Sequence, residues 1–287
     1  MTALAPASAA TAESYRFLVG YIHRESGIAL DQDKSYLLDA RLLPIVEELS
    51  LPSLDSLCTV LRSNSDSKLK KRVVEAMTTH ETLFFRDIAF FDGLKKEILP
   101  LLIERKKSSR KLRFWSAAAS SGQEAYSLAM LLLEMGLGDW EIEILGTDIS
   151  EQILDKAREG RYLQIEVNRG LPASYLIKYF ERRGLDWYIR ENLRRMIRFE
   201  PFDLRKSMRG KGPFDLIFCR NVLIYFDVET KRQILREIRG SLFGGGYLVL
   251  GATETTMNLD NEFKAVAGGR VALYQAPSKG EDNVGRL

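Results

Sequence analysis

A chain of 287 residues and 32.7 kDa has room for two modest domains, or for one α/β domain with an appendage. Hydrophobic residues at 45% and charged residues at 28% exclude a disordered or collagen-like polymer, and no apolar run approaches the ~20 residues that span a bilayer. The net charge of +3 is too small to argue for nucleic acid by itself, but it is unevenly placed. Residues 1–61 hold four basic and eight acidic side chains, residues 62–113 fourteen and seven, and residues 182–211 ten and four. Two basic segments in a near-neutral chain suit an acidic macromolecular partner, while solvated helix faces explain either segment alone about as well. Cys58 and Cys219 give neither a disulfide framework nor a zinc pattern. No metal ligand set is expected, and the expected compartment is a reducing cytoplasm.

Residues 1–13 are small and weakly apolar without a basic start, so they read as a flexible tail rather than a secretory leader. Residues 14–80 read as a helical domain. Phe17, Ile22 and Ile28 suggest a first helix, Tyr36, Leu37, Leu42, Ile45, Val46 and Leu49 a second, Leu54, Leu57, Val60 and Leu61 a third, and Leu69, Val73, Val74 and Met77 a fourth. Thr78-Thr79-His80-Glu81 has the spacing of a capping box, which predicts a linker helix over 81–104.

From 105 to 276 short apolar runs alternate with helical segments, the signature of parallel βαβ units. Strands are predicted over 112–118, 142–147, 214–219 and 247–251, with helices over 124–135, 150–159 and 229–242. Residues 161–200 interrupt this rhythm and read as an inserted β-subdomain. Strand-like runs at 263–267 and 270–275, split by Gly268-Gly269, predict a closing antiparallel hairpin, and 277–287 reads as a second tail. A Rossmann-like parallel sheet that ends in such a hairpin is similar to the class I S-adenosylmethionine-dependent methyltransferases. It differs from a plain dinucleotide fold.

Candidate ligand residues lie at the carboxyl ends of these strands, where open α/β sheets bind ligands. The first βα junction, 116–122, is built of small residues before Gly122, and no G-x-G-x-x-G is present. Glu124 would repel a pyrophosphate and attract the ammonium of a methionine-like ligand, although an acid in a first helical turn also favours the helix dipole. Asp148 ends the second strand, where an acid accepts both ribose hydroxyls, or caps the next helix. The buried run 214–219 delivers Arg220 and Asn221 to its end and is followed by Tyr225 and Phe226.

Four stretches in this order carry a specific resemblance. Thr-Thr-His-Glu-Thr-Leu-Phe-Phe-Arg-Asp (78–87), Trp-Ser-Ala-Ala-Ala-Ser-Ser-Gly-Gln-Glu-Ala-Tyr-Ser (115–127), Gly-Thr-Asp-Ile (146–149) and Phe-Cys-Arg-Asn-Val-Leu-Ile-Tyr-Phe (218–226) closely resemble the CheR family of chemotaxis receptor methyltransferases. The resemblance covers about residues 15–275. It implies S-adenosylmethionine as cofactor and S-adenosylhomocysteine as product. It also implies methyl transfer to glutamate carboxylates on the cytoplasmic helices of chemoreceptors. By motif, Thr82 and Arg86 reach the cofactor or active site from the linker, Glu124 takes the methionine amino group and Asp148 the ribose. Asp203 and Leu204 match the loop beside the adenine, and Arg220 and Asn221 the loop under the methionine portion. Arg86 and Tyr225 match the pair that positions substrate. The family usually has Asn where this chain has His80, which lacks the paired amide geometry.

A glutamate carboxylate, with a reference pKa of ~4.3, is already the nucleophile at neutral pH, so neither a general base nor a metal is needed. A nucleic-acid methyltransferase is disfavoured because the chain has no Pro-Pro at the fourth strand, where Cys-Arg-Asn-Val stands instead. A non-catalytic S-adenosylmethionine-binding adaptor is disfavoured by the intact Arg86 and Tyr225. The expected partner is an acidic helical receptor bundle, met by Lys34, Arg41, Lys68, Lys70 and Lys71 on the N-terminal helices. Nucleic acid and membrane insertion are not expected, and the expected state is a monomer.

Overall fold

The computed structural model describes residues 10–30, 35–63, 67–266 and 272–278. The chain divides into two compact units. One is Met1–Thr79 together with Tyr225–Asp227, and the other is His80–Ile224 together with Val228–Leu287.

In the first unit four helices, α1 (Ala12–Ser26), α2 (Ser35–Glu48), α3 (Leu54–Arg62) and α4 (Ser67–Met77), surround an aliphatic core. Thr11 caps α1 by accepting from the Ser14 N–H, Ser53 caps α3 by accepting from that of Ser56, and Gly27 at φ +77° closes α1 in the left-handed conformation. Leu18, Ile22, Leu42, Val46, Leu54, Leu57 and Val73 are fully buried. On α2 the inward stripe runs through Leu38, Leu42, Ile45 and Val46, whereas Tyr36 and Leu49, at its two ends, face solvent. Ile28 forms an antiparallel bridge with Phe226, and the Ala29 N–H donates to the Tyr225 carbonyl at 2.8 Å. Tyr225 therefore packs with the helical core despite its place in the sequence.

The second unit is built on a seven-stranded sheet. Its strands are β1 (Lys111–Ser116), β2 (Glu141–Asp148), β6 (Ile197–Pro201), β7 (Phe214–Cys219), β8 (Leu242–Leu250), β9 (Lys264–Ala265) and β10 (Leu273–Gln275). They lie in the order β6-β2-β1-β7-β8-β10-β9. The first five pair in parallel, while β10 runs antiparallel to β8 and β9. The hydropathy rhythm predicts a parallel sheet closed by antiparallel strands, and this order is the class I methyltransferase arrangement that the resemblance implies. The turn Gly268-Gly269 lies outside the described residues. Strand order reverses between β2 and β7 on either side of β1, which places a ligand-binding crevice at the carboxyl ends of these strands. The helices α7 (Gln123–Glu134), α8 (Glu151–Glu159) and α12 (Val228–Gly240) complete the crossovers. Phe114, Trp115, Phe214 and Phe218 fill the core, and every residue of β7 is buried.

The expected tail over 1–13 is cut short, since α1 begins at Ala12 behind its Thr11 cap, and two further regions differ from the sequence expectation. Helix does not begin at 81 but at α5 (Ile88–Gly93), continuing through a π-helical turn (Leu94–Ile98) into α6 (Leu99–Arg105). The reason lies in the two phenylalanines. Phe84 packs edge-on against Tyr162 and Phe180, and the Phe85 N–H donates to Ser127 Oγ at 2.8 Å, so tertiary contacts pull this stretch away from helical geometry. The inserted sheet contains β3 (Arg161–Leu163), β4 (Phe180–Arg183) and β5 (Asp186–Ile189) in the order β3-β5-β4, with the short helices α9 (Gln164–Val167) and α10 (Ala173–Tyr179) between its first two strands and α11 (Glu191–Arg194) after its last. The expected insert over 161–200 overruns it, since β6 from Ile197 onward pairs in parallel with β2. β6 is an edge strand whose outward Arg198 and Glu200 mask its inward Ile197 and Phe199.

Phe199 leans over Gly146 of β2. A Cβ on Gly146 would stand 2.5 Å from the Phe199 ring. Gly146→Ala is expected to lower the unfolding free energy by about 1–3 kcal/mol through overpacking, read from urea titration.

Candidate active site

The loop after β1 is a close-packed turn. Gly122 opens α7 at φ +92°, and a Cβ there would lie 3.1 Å from each of Ala157, Phe199 and Tyr126. The loop is tied down from three sides. The Ala119 N–H donates to the Thr147 carbonyl, the Tyr162 hydroxyl donates to the Ser121 carbonyl at 2.6 Å, and Ser120 Oγ donates to the His80 carbonyl at 3.1 Å. His80 is thus held at this loop by its backbone.

Two carboxylates stand near the carboxyl ends of the neighbouring strands β1 and β2, one on the helix after β1 and one at the end of β2. Glu124, in the first turn of α7, accepts from Ser116 Oγ at 2.7 Å on one oxygen and from Arg220 Nη1 at 3.2 Å on the other. Asp148, at the end of β2, accepts one backbone N–H on each oxygen, from Ser120 at 3.0 Å and from Ser150 at 3.1 Å. Burial pushes the Asp148 carboxyl above its ordinary value of 3.8, against the pull of these amides and of the nearby His80.

Arg220 lies at the end of β7, its side chain 3% exposed. Its guanidinium bonds Glu124 and Asp87, donates to the Arg86 carbonyl at 3.3 Å, and stacks 4.7 Å from the centre of the Phe90 ring. Within this triad the carboxylates outnumber the cation. Arg220 Nε is buried without a hydrogen-bond partner, a donor that remains to be used. Asn221 follows at φ +57°. The next turn is held by a residue that no motif marks: Glu254, beyond β8, accepts backbone N–H bonds from Asn221, Val222, Ile224 and Gly251.

The remaining candidates are placed differently. Arg86 donates from Nη1 to the Glu81 carbonyl at 3.0 Å, closing its own loop, and Thr82 lies half-buried within that loop. The Asp203 carboxylate is forked by Arg205 at 2.7–3.1 Å, and Leu204 is buried beside it. Tyr225 belongs to the helical unit, where it ends a short 3₁₀ turn. Burial holds the Cys219 thiol well above its ordinary range, which removes it as a nucleophile. No cluster of three or more metal-ligating side chains occurs among the described residues.

The donor set fits an amino-acid-bearing nucleoside. An acid with excess negative charge suits an ammonium, an orphaned guanidinium N–H suits a carboxylate, and Asp148 suits a diol. Comparison with known proteins decides between the ligands of this class. Residues 13–78 match the family described as "CheR methyltransferase, all-alpha domain", and residues 80–272 match "CheR methyltransferase, SAM binding domain". The chain belongs to the CheR methyltransferase family.

Curated CheR relatives match it over nearly their full length. "Chemotaxis protein methyltransferase 1" of Pseudomonas aeruginosa is 40% identical over 275 residues, 94% of this chain and 99% of that protein. "Chemotaxis protein methyltransferase Cher2" of Pseudomonas putida is 37% identical, covering 89% and 95%. "Chemotaxis protein methyltransferase 1" of Vibrio cholerae is 39% identical, covering 92% and 96%. The protein is accordingly a methyltransferase of the chemotaxis class with S-adenosylmethionine as its cofactor.

Removing the buried Arg220 would strand the Glu124 carboxylate, which is 14% exposed. Arg220→Met is expected to cost roughly 3 kcal/mol of stability in urea unfolding, because a partnered buried charge loses its partner.

Proposed function

We propose that this protein is a protein-glutamate O-methyltransferase acting on the cytoplasmic helical bundles of chemoreceptors. What carries this reading is the near-full-length likeness to chemotaxis protein methyltransferases, combined with an intact Arg86 and Tyr225. Bound S-adenosylmethionine supplies an electrophilic methyl group, and the acceptor carboxylate supplies the electron pair.

The work of the protein is then binding, orientation and exclusion of water. Glu124 takes the ammonium of the amino-acid part, Arg220 and Asn221 form the floor beneath it, and Asp148 takes the ribose hydroxyls. Thr82 and His80 border the cofactor from the linker, and Asp203 and Leu204 lie along the adenine. Arg205 already engages the Asp203 side chain, so the backbone of this loop and the Leu204 side chain are the surfaces offered to the base. Arg86 holds the acceptor carboxylate by one charge-assisted hydrogen bond, and the Tyr225 hydroxyl donates another. A tight bidentate grip would quench the nucleophile. The Arg86 tie to the Glu81 carbonyl leaves the rest of its guanidinium for this orienting contact.

Docking is assigned to the basic N-terminal helices, with one revision. Arg41 donates to the Ala76 and Thr78 carbonyls and to Thr79 Oγ1, so it secures the end of α4. Its loss would disturb the fold before it disturbed a partner. Lys34 lies outside the described residues. Lys68, Lys70 and Lys71, in the first turn and a half of α4, remain the docking candidates. No helix is long and apolar enough to cross a membrane among the described residues, and the proposed setting is a monomer in the cytoplasm.

Radiolabelled methyl transfer to receptor fragments tests the assignment. Arg86→Ala and Tyr225→Phe are expected to lower the rate at least tenfold while the melting temperature stays within a few degrees. A fully active Tyr225→Phe would leave that hydroxyl no part in transfer.

The ribose contact has its own signature in pH. Ribose hydroxyls bond the ionised form of Asp148, so binding lowers a carboxyl pKa that burial has raised. Affinity for S-adenosylhomocysteine is therefore complete above the raised value. It falls as pH drops through it, beginning above the ordinary 3.8. Calorimetry across the acid range should show this limb in the native protein and lose it in Asp148→Asn, whose affinity is low throughout.

A further inference from the structure

The turn at 220–224 is shaped by a carboxylate from the far side of β8. Four residues beyond the end of that strand, Glu254 folds back and is 7% exposed. Its Oε2 accepts from the Asn221 and Gly251 N–H groups, each at 2.7 Å, and its Oε1 from Val222 at 3.0 Å and Ile224 at 3.3 Å. Four backbone dipoles converge on one side chain, a larger set than closure of a strand end requires. Gly251 makes the approach feasible, since a Cβ there would lie 2.7 Å from Glu254 Oε2 and 2.8 Å from Asn221 Nδ2. Three of the four donors belong to the turn after β7, and the first of them is Asn221, a non-glycine residue held in the left-handed region at φ +57°.

We propose that Glu254 is a positioning residue that fixes the 220–224 turn in its binding shape before the amino-acid part of S-adenosylmethionine arrives. The proposal rests on the reading that Arg220 and Asn221 lie under that part. Charge-assisted hydrogen bonds are the strong ones, and here they hold backbone whose own geometry is strained. The ordering of this turn is complete in the free protein and is not charged against binding. Glutamine cannot replace the carboxylate. It keeps one acceptor oxygen and turns an NH₂ group toward the other pair of N–H donors, so either Asn221 and Gly251 or Val222 and Ile224 lose their acceptor.

Two ligands separate a positioning role from a merely structural one. S-adenosylhomocysteine carries the amino-acid part, and 5′-methylthioadenosine is the same nucleoside thioether without it. Calorimetry on Glu254→Gln should show a loss of roughly tenfold for the first, the scale of ordering a few backbone and side-chain torsions, and no change for the second. Equal losses for both ligands, or none for either, would overturn the proposal. Asn221→Gly, which keeps the backbone shape and removes the amide, separates this from the underlying site reading. If that variant binds both ligands as the native protein does, the turn is not the methionine floor. If it loses S-adenosylhomocysteine selectively while Glu254→Gln binds normally, the positioning role alone fails. Should Glu254→Gln not fold, hydrogen exchange on the native protein decides the matter. The Asn221, Val222 and Ile224 amides should be protected without ligand, and protection that appears only with S-adenosylhomocysteine would refute prior ordering.

Discussion

The buried guanidinium of Arg220 is the constraint on which the site depends. It meets Glu124 on the first crossover helix, Asp87 and the Arg86 carbonyl at the end of the linker, and the face of Phe90 on α5, all from the tip of a fully buried strand. Desolvating a cation in this way is costly unless every neighbour is arranged around it. That arrangement binds linker, first helix and fourth parallel strand into one frame. The local packing is thus partly a by-product of satisfying a charge, and Arg220 Nε is the one nitrogen of that guanidinium left without a hydrogen-bond partner.

Much of this was open to a reading of the chain. The parallel sheet shows itself as four apolar runs separated by helical stretches; Asp148 and Arg220 are conspicuous as charged residues at the end of such a run, and Glu124 as an acid opening the helix after the small-residue loop. Position at a strand end is a property of sequence order, so it survives without coordinates. The four helices of the first unit were visible for the same reason, although the buried stripe of α2 runs through Leu38 rather than its exposed ends.

What escaped depends on contacts remote in sequence. β6 carries arginine and glutamate on its outer face because it is an edge, and its period-two pattern was lost among the basic residues around it. The stretch 81–87 has a helix-start signature, yet Phe84 is worth more packed against Tyr162 and Phe180 than wound into a first turn. Glu254 is a single acid among threonines, and nothing in its neighbourhood announces four amide partners supplied mostly from a turn some thirty residues earlier. Arg41 read as a surface charge because its acceptors are carbonyls, which leave no trace in a sequence.

Residues Tyr225–Asp227 interrupt the second unit and complete the first, bridging to Ile28 and Ala29. The helical unit is therefore not a cassette that ends where α4 ends. A gene fragment stopping at residue 79 would encode helices that lack their last strand-like partner, and a fragment starting at 80 would carry three residues whose packing surface had been left behind. Recombination at the apparent boundary yields two incomplete products.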